Sequence, residues 1–309
     1  METTLLPTIN KQLLHLDQSY GSDTVAADFV LSLISTLDDY KGDNSPDALQ
    51  IGILEIYNLL LACRPRMANL VFDLQETLLH TIDTPDFNKE TIRNRLLELL
   101  GLKRSRRHDS VKHAQSLVEG IRSILLHSYS STLNMLLREV SKGADKPDII
   151  LAAQEPQKTE RMIRLLQKHG FVYRVVSEFA VAHVIEEVNL ALFGGLTLTS
   201  DMQILMGPGS ASLISQLNSR GIASYVMLTT NKFSFWEEPT AKAFKESRAK
   251  KLDTFSYTKE VYSHDVLPIS LLAGIITENG VLTPHQAQSV FRKMQEQFFG
   301  RERRIRELG

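Results

Sequence analysis

Val188-Asn189-Leu190-Ala191-Leu192-Phe193-Gly194-Gly195-Leu196 decides how this chain folds. Six of its first seven positions, Asn189 excepted, are apolar or glycine, as in a strand buried on both faces rather than one half-exposed in alternation. The glycine pair predicts a turn at its end. Comparable short apolar runs lie at 123–126, 148–153, 171–176 and 222–228. Amphipathic stretches separate several of them, such as 161–169 with Met162, Leu165 and Leu166 on one face. Strands alternating with helices predict parallel βαβ units and a Rossmann-like, doubly wound, mostly parallel sheet. In such a sheet the residue past a strand's carboxyl end faces the crevice where ligands bind. Leu196 occupies that place.

The first hundred residues have another rhythm. Phe29, Val30, Leu33, Ile34 and Leu37 make one helical stripe, and Met67, Leu70, Val71, Leu74 and Leu78 another. Residues 51–62 are apolar nearly all round, which predicts a helix buried between others. Pro46 after Ser45 reads as a helix start, and Ile92, Leu96 and Leu99 continue the pattern. The expected architecture is α/β: an all-helical domain over residues 1–110, then the Rossmann-like domain over 111–309. The basic run Lys103-Arg104-Ser105-Arg106-Arg107-His108 near the boundary reads as a solvated hinge or helix end, and the charged C-terminal run 301–306 as a solvated tail. His264-Asp265 and residues 236–262, charged with scattered aromatics, read as a surface excursion near the cleft.

Composition narrows the function. With 35 basic and 36 acidic side chains and a formal net charge of -1, the chain lacks the surplus that phosphate backbones require, so a nucleic-acid partner is not expected. Cys63 stands alone, which excludes an internal disulfide and a cysteine-rich zinc site and fits a reducing cytoplasm. No apolar run reaches the roughly 18 residues of a membrane span, and the start lacks the pattern of a signal peptide. The nine histidines are dispersed, so neither a metal site nor a cofactor is expected.

Two strand-turn-helix segments carry the candidate chemistry. His127-Ser128-Tyr129-Ser130-Ser131-Thr132 offers hydroxyls and free backbone N–H groups at a helix start, which either cradle an anion or only cap the helix. His127 could serve Ser128 as a base, although no acidic residue nearby in sequence orients it. In Met206-Gly207-Pro208-Gly209-Ser210 the glycines allow close backbone approach to a phosphate, with Ser210 as donor, or simply build a tight turn. Arg64, in Arg64-Pro65-Arg66, could pair with a carboxylate or fork a phosphate. Glu155 and Glu178 each follow an expected strand at crevice depth. The expected site is a ligand cleft of Arg64, Ser128, Ser130, Glu178, Gly209 and Ser210, and no catalytic residue is expected.

These landmarks together resemble the alpha/beta/delta regulatory-subunit family of translation initiation factor 2B, with its related ribose-1,5-bisphosphate and methylthioribose-1-phosphate isomerases. The carriers are Arg64-Pro65-Arg66-Met67-Ala68-Asn69-Leu70, Leu126-His127-Ser128-Tyr129-Ser130, the strand 188–194, and Ile275-Ile276-Thr277-Glu278-Asn279-Gly280-Val281-Leu282-Thr283-Pro284. The resemblance implies a helical domain followed by a Rossmann-like one that dimerises. It also implies that an isomerase would carry a cysteine at Ser128 and an aspartate at Leu196. A serine hydroxyl needs an adjacent base, and leucine transfers no proton. Glu155 stands where the isomerases place a phosphate-binding arginine, and residues 206–210 lose their Asn-Lys pair. The expected function is therefore a non-catalytic, initiation-factor-2B-like regulatory or scaffold subunit. It would form a homodimer or higher homo-oligomer, take an initiation-factor-type protein partner, and keep a cleft able to bind a phosphorylated small molecule. The rival expectations are a sugar-phosphate isomerase that rebuilt its acid–base pair from Glu155 or Glu178, and an orphan cleft for another metabolite.

Overall fold

The computed structural model describes residues 22–63, 67–84, 86–127, 129–153, 155–236, 245–251 and 254–308. Four helices come first: α1 (Ser22–Asp39), α2 (Pro46–Ala62), α3 (Ala68–Asp83) and α4 (Lys89–Val118). Ser45 caps α2 by accepting from the Ala48 N–H, with Pro46 in the first turn as its missing donor permits. Asn88 and Thr91 close a reciprocal capping box on α4. Val30, Leu33, Ile34 and Leu37 are buried as their spacing required. Helix α2 departs from expectation: Ile51 and Leu59 are exposed, so it covers one side of the bundle rather than lying inside it.

The basic run does not form a hinge. Helix α4 continues unbroken through residues 103–108 and through residue 110, and its two halves serve different cores. Ile92, Leu96 and Leu100 join the helical bundle and one face of the sheet, whereas Val111, Ala114 and Val118 pack on the other face. Lys103 pairs with the buried Asp73 of α3, and Arg106 lies 3.7 Å from Glu278. Lys103 thus fastens α4 within the bundle, and Arg106 reaches from α4 to the sheet half.

Strands β1 (Ser123–His127), β2 (Asp148–Ala153), β3 (Tyr173–Ser177), β4 (Leu190–Leu198), β6 (Ser224–Met227) and β10 (Gly274–Thr277) form the parallel body, with β11 (Gly280–Leu282) antiparallel at the edge. The order is β11-β10-β6-β4-β1-β2-β3. The chain runs outward from β1 through α5 (Ser131–Val140), β2 and α6 (Pro156–Lys168) to β3, then returns to β4 on the other side of β1. The direction of winding reverses between β1 and β4, where a doubly wound sheet opens its crevice.

No turn forms at Gly194-Gly195. Strand β4 runs on to Leu198, leaving its parallel partners and pairing antiparallel with β5 (Gln203–Met206), with a register shift between Gly195 and Thr197. Strand β5 in turn pairs with β9 (Asp265–Pro268). The glycines serve packing instead. A Cβ on Gly194 would lie 2.5 Å from that of Ser130, and one on Gly195 would lie 2.8 Å from Val226 Cγ1. Leu196 is half-buried on the continuing strand. Strands β7 (Lys245–Lys251) and β8 (Ser256–Tyr262) make a separate exposed ribbon, as expected of a surface excursion.

Nor does the C-terminal run trail into solvent. In α8 (Pro284–Arg306), Glu302 and Ile305 are buried. Tyr57 donates to Glu302 Oε1, and Gln75 Nε2 reaches the same oxygen at 3.4 Å. Burial pushes the Glu302 carboxyl above its ordinary range, with Arg306 pulling the other way. Arg301 pairs with Glu76 and Arg304 with Asp83.

Asp73 yields a pH signature. Burial raises its carboxyl from 3.8 to about 6, with Lys103 and Arg106 opposing the rise and Glu76 adding to it. Between those values the folded chain binds the proton more tightly than the unfolded chain. Its contribution to stability is complete below about 3.8 and is lost as pH rises through about 6. Relative to Asp73→Asn, the wild type should lose about 1–3 kcal/mol between pH 4 and pH 7 in urea melts. Parallel stability curves for the two proteins would contradict the assignment.

Candidate functional site

At the β1/β4 crevice the carboxyl end of β1 presents His127, which is fully buried. Its Nδ1 lies 3.1 Å from Ser210 Oγ, and its Nε2 lies 3.1 Å from Glu178 Oε2. With Nε2 protonated and donating to the carboxylate, Nδ1 is left to accept the Ser210 hydroxyl proton. Glu178 opens the 3-10 turn that follows β3 (Glu178–His183), and Ser210 opens α7 (Ser210–Ser219). Three segments far apart in sequence thus converge on one imidazole.

Gly209 makes the closeness possible. Its φ of 88° is in the left-handed region, and a Cβ there would come 2.5 Å from Glu178 Oε2. The Glu178 carboxylate therefore lies directly against the backbone that starts α7. A second carboxylate arrives from β9, where Asp265 Oδ2 accepts from the Ala211 N–H at 2.9 Å. Free N–H groups and the helix dipole make a helix start a phosphate cradle. At α7 the chain's own carboxylates meet that positive end.

The order hydroxyl–imidazole–carboxylate is that of an activated nucleophile. Here the hydroxyl is inaccessible, because Ser210 is 1% exposed. The relay ends in the core and leaves Glu178, with 26% of its side chain exposed, as the group that meets the crevice. The array positions a carboxylate. It does not arm a serine.

Of the residues expected to line the cleft, Glu178, Gly209 and Ser210 come together around His127. Ser130, the N-cap of α5, lies against Gly194 and makes no side-chain capping bond. Arg64 and Ser128 lie outside the described residues. Ser210 and Glu178 engage the two ring nitrogens of His127, and the expected pairing of His127 with Ser128 lies outside the described residues. Glu155 stands at the exposed start of α6, 3.5 Å from Lys158. Asp265, expected only as part of a surface excursion near the cleft, reaches the start of α7 across 54 positions of sequence. Among the described residues no group of three or more His, Cys, Asp or Glu side chains is arranged to hold a metal ion, and no helix is long and apolar enough to cross a membrane.

The model of the initiation factor 2 subunit family matches residues 18–284. A Pyrococcus horikoshii protein named as a translation initiation factor eIF-2B subunit 2-like is 24% identical over 262 residues, covering 84% of this chain and 88% of that protein. The crystal structure of the P. horikoshii OT3 translation initiation factor eIF-2B matches with a TM-score of 0.72 at 19% identity, covering 90% of this chain and 98% of that one. The tetrameric eIF2B-beta2-delta2 complex from C. thermophilum contributes a chain with a TM-score of 0.69 at 15% identity, covering 94% of this chain and 96% of that one. The 5-methylthioribose 1-phosphate isomerase of P. horikoshii OT3 also has a TM-score of 0.69, at 16% identity, covering 93% of this chain and 87% of that one. Multi-subunit initiation factors and a sugar-phosphate isomerase thus share this fold of helices followed by a mostly parallel sheet. The chain belongs to the initiation factor 2 subunit family.

Proposed function

We propose that this chain is a non-catalytic regulatory or scaffold subunit of the initiation-factor-2B type, acting as a cytoplasmic homodimer or larger homo-oligomer and docking on an initiation-factor-type protein. The observation that carries this reading is the start of α7, where Glu178 and Asp265 stand in the place of an incoming phosphate. A dianionic sugar phosphate would meet two carboxylates there and would have to displace both against their hydrogen bonds. Leu196, at the position where the isomerases are expected to carry aspartate, supports the same reading. A phosphorylated small molecule would instead be held at the start of α5, by Ser130 and the neighbouring backbone, as a regulatory ligand.

Purified protein is expected to show no turnover of methylthioribose 1-phosphate or ribose 1,5-bisphosphate above the uncatalysed rate. The assay follows ketose formation at millimolar substrate. A second reading, a rebuilt isomerase, is favoured only by the partly exposed carboxylate that His127 holds in place. Turnover lost in Glu178→Gln would establish that reading and remove the first.

A further inference from the structure

Away from the β1/β4 crevice, a cavity of 280 Å³ lies where α3, α4, α8 and the turn after β6 meet. None of His127, Glu178, Gly209 or Ser210 lines it. We infer that this cavity is a binding site for a zwitterionic amino acid with an apolar side chain.

Three features of its walls carry the inference. Part of the lining is aromatic: the Phe72, Phe235 and Phe298 rings lie 5.3–5.5 Å apart from one another, beside Met294. Three arginines (Arg95, Arg106 and Arg301) and two carboxylates (Asp73 and Glu76) line the rest. A net charge near +1 suits one carboxylate and is too small for a phosphate dianion, and both signs are present for a ligand that carries both. Arg106 is the least committed cation, its nearest carboxylate being Glu278 at 3.7 Å.

Orphaned polar atoms complete the case. Among the described residues, the buried side-chain atoms without a hydrogen-bond partner are Gln75 Oε1, Arg95 Nε, Arg107 Nε, Ser224 Oγ and Asn231 Oδ1. Two of them, Arg95 Nε and Asn231 Oδ1, belong to residues of this one wall. Asn231 is 5% exposed. Such atoms are costly to leave unmade. One is a donor and the other an acceptor, so together they call for a ligand that both accepts and donates. Both are shut off from solvent, so a ligand engages them only if these side chains turn to meet it. A carboxylate facing Arg106 and the Nε of Arg95, an ammonium facing Asn231 and Asp73, and a side chain on the phenyl rings match the open groups of the wall, while Glu76 stays paired with Arg95 and Arg301 and Asp73 keeps Lys103. The volume falls just under the ~300 Å³ at which drug-sized pockets begin, which suits a metabolite of this size.

Thermal melts of the full chain with L-leucine, L-methionine or L-phenylalanine at 10 mM test the assignment, against 4-methylpentanoic acid and 3-methylbutylamine as singly charged controls. At least one amino acid should raise Tm by about 3 °C or more, with a smaller effect from either control. Asn231→Ala should abolish the shift. Leu102→Trp, placed at an exposed position on the cavity rim, should block entry while leaving the unliganded Tm near that of the wild type. Absence of any shift, confirmed by isothermal titration showing no heat of binding, overturns the assignment. So does a shift that survives both substitutions, or one that the controls reproduce in full.

Discussion

Phe298→Ala is expected to destabilise this protein by about 3–5 kcal/mol, the cost of opening a cavity where a phenyl ring was packed. Phe298 is 3% exposed, and its ring centroid lies 5.4 Å from Phe72, 5.5 Å from Phe235 and 5.6 Å from Trp236. Those partners come from α3 and from the segment after β6, so one ring joins the helical half to the sheet half. The neighbouring Phe299 is 44% exposed, and Phe299→Ala should cost under about 1 kcal/mol. Urea unfolding at pH 7 separates the two variants through their midpoints, provided the slope is unchanged. If Phe298→Ala melts no earlier than Phe299→Ala, the shared core is not where the stability lies.

Lys232→Met should cost a similar amount for an electrostatic reason. Lys232 Nζ lies 2.9 Å from Asp23 Oδ2, and the two side chains are 7% and 10% exposed. Removing the ammonium strands a buried carboxylate, which typically costs about 3–5 kcal/mol. The double variant Asp23→Asn with Lys232→Met should recover a large part of that loss, because no buried charge is then left unpaired. Burial pushes the Asp23 carboxyl up, but the Lys232 charge and hydrogen bond, with help from Arg107 and Lys103, bring it below its usual 3.8. A depressed carboxyl contributes stability above its unfolded pKa and loses it as pH falls through the folded value. The penalty of Lys232→Met should therefore be full at pH 7 and shrink toward pH 3. A penalty independent of pH would mean that the pair acts by packing alone.

These two pH signatures run in opposite directions within one bundle. Asp23 has the Lys232 ammonium at hydrogen-bond distance, with Arg107 and Lys103 adding positive charge, and together they outweigh burial. Asp73 has Lys103 beside it but also Glu76 nearby, and burial outweighs attraction. Neither outcome could be read from the sequence, where both residues are acidic positions in a helical stretch. The same holds at the candidate site. Glu178, Gly209 and Ser210 were legible one by one, as a strand-end carboxylate and a glycine turn before a helix. That all three meet at His127, and that Asp265 joins them, depends on residues 51 to 83 positions apart.

The alternation of apolar runs with amphipathic stretches determined by itself that the second half is a mostly parallel sheet with covering helices, and the stripes near residues 30 and 70 determined the helical half. Such patterns are local consequences of which faces must leave water. Tertiary structure alone decided what the charges and glycines do. The run 103–108 looked solvated because isolated basic side chains prefer water, yet Lys103 finds Asp73 across the bundle. The Arg301–Arg306 stretch looked like a tail, yet Glu302 is held by Tyr57. Gly194 and Gly195 looked like a turn because glycine tolerates turns. It also tolerates close approach, and Ser130 and Val226 needed that room. Whether a polar or glycine residue ends an element or fastens two of them is set by what the fold brings beside it, and that partner is seldom near in sequence.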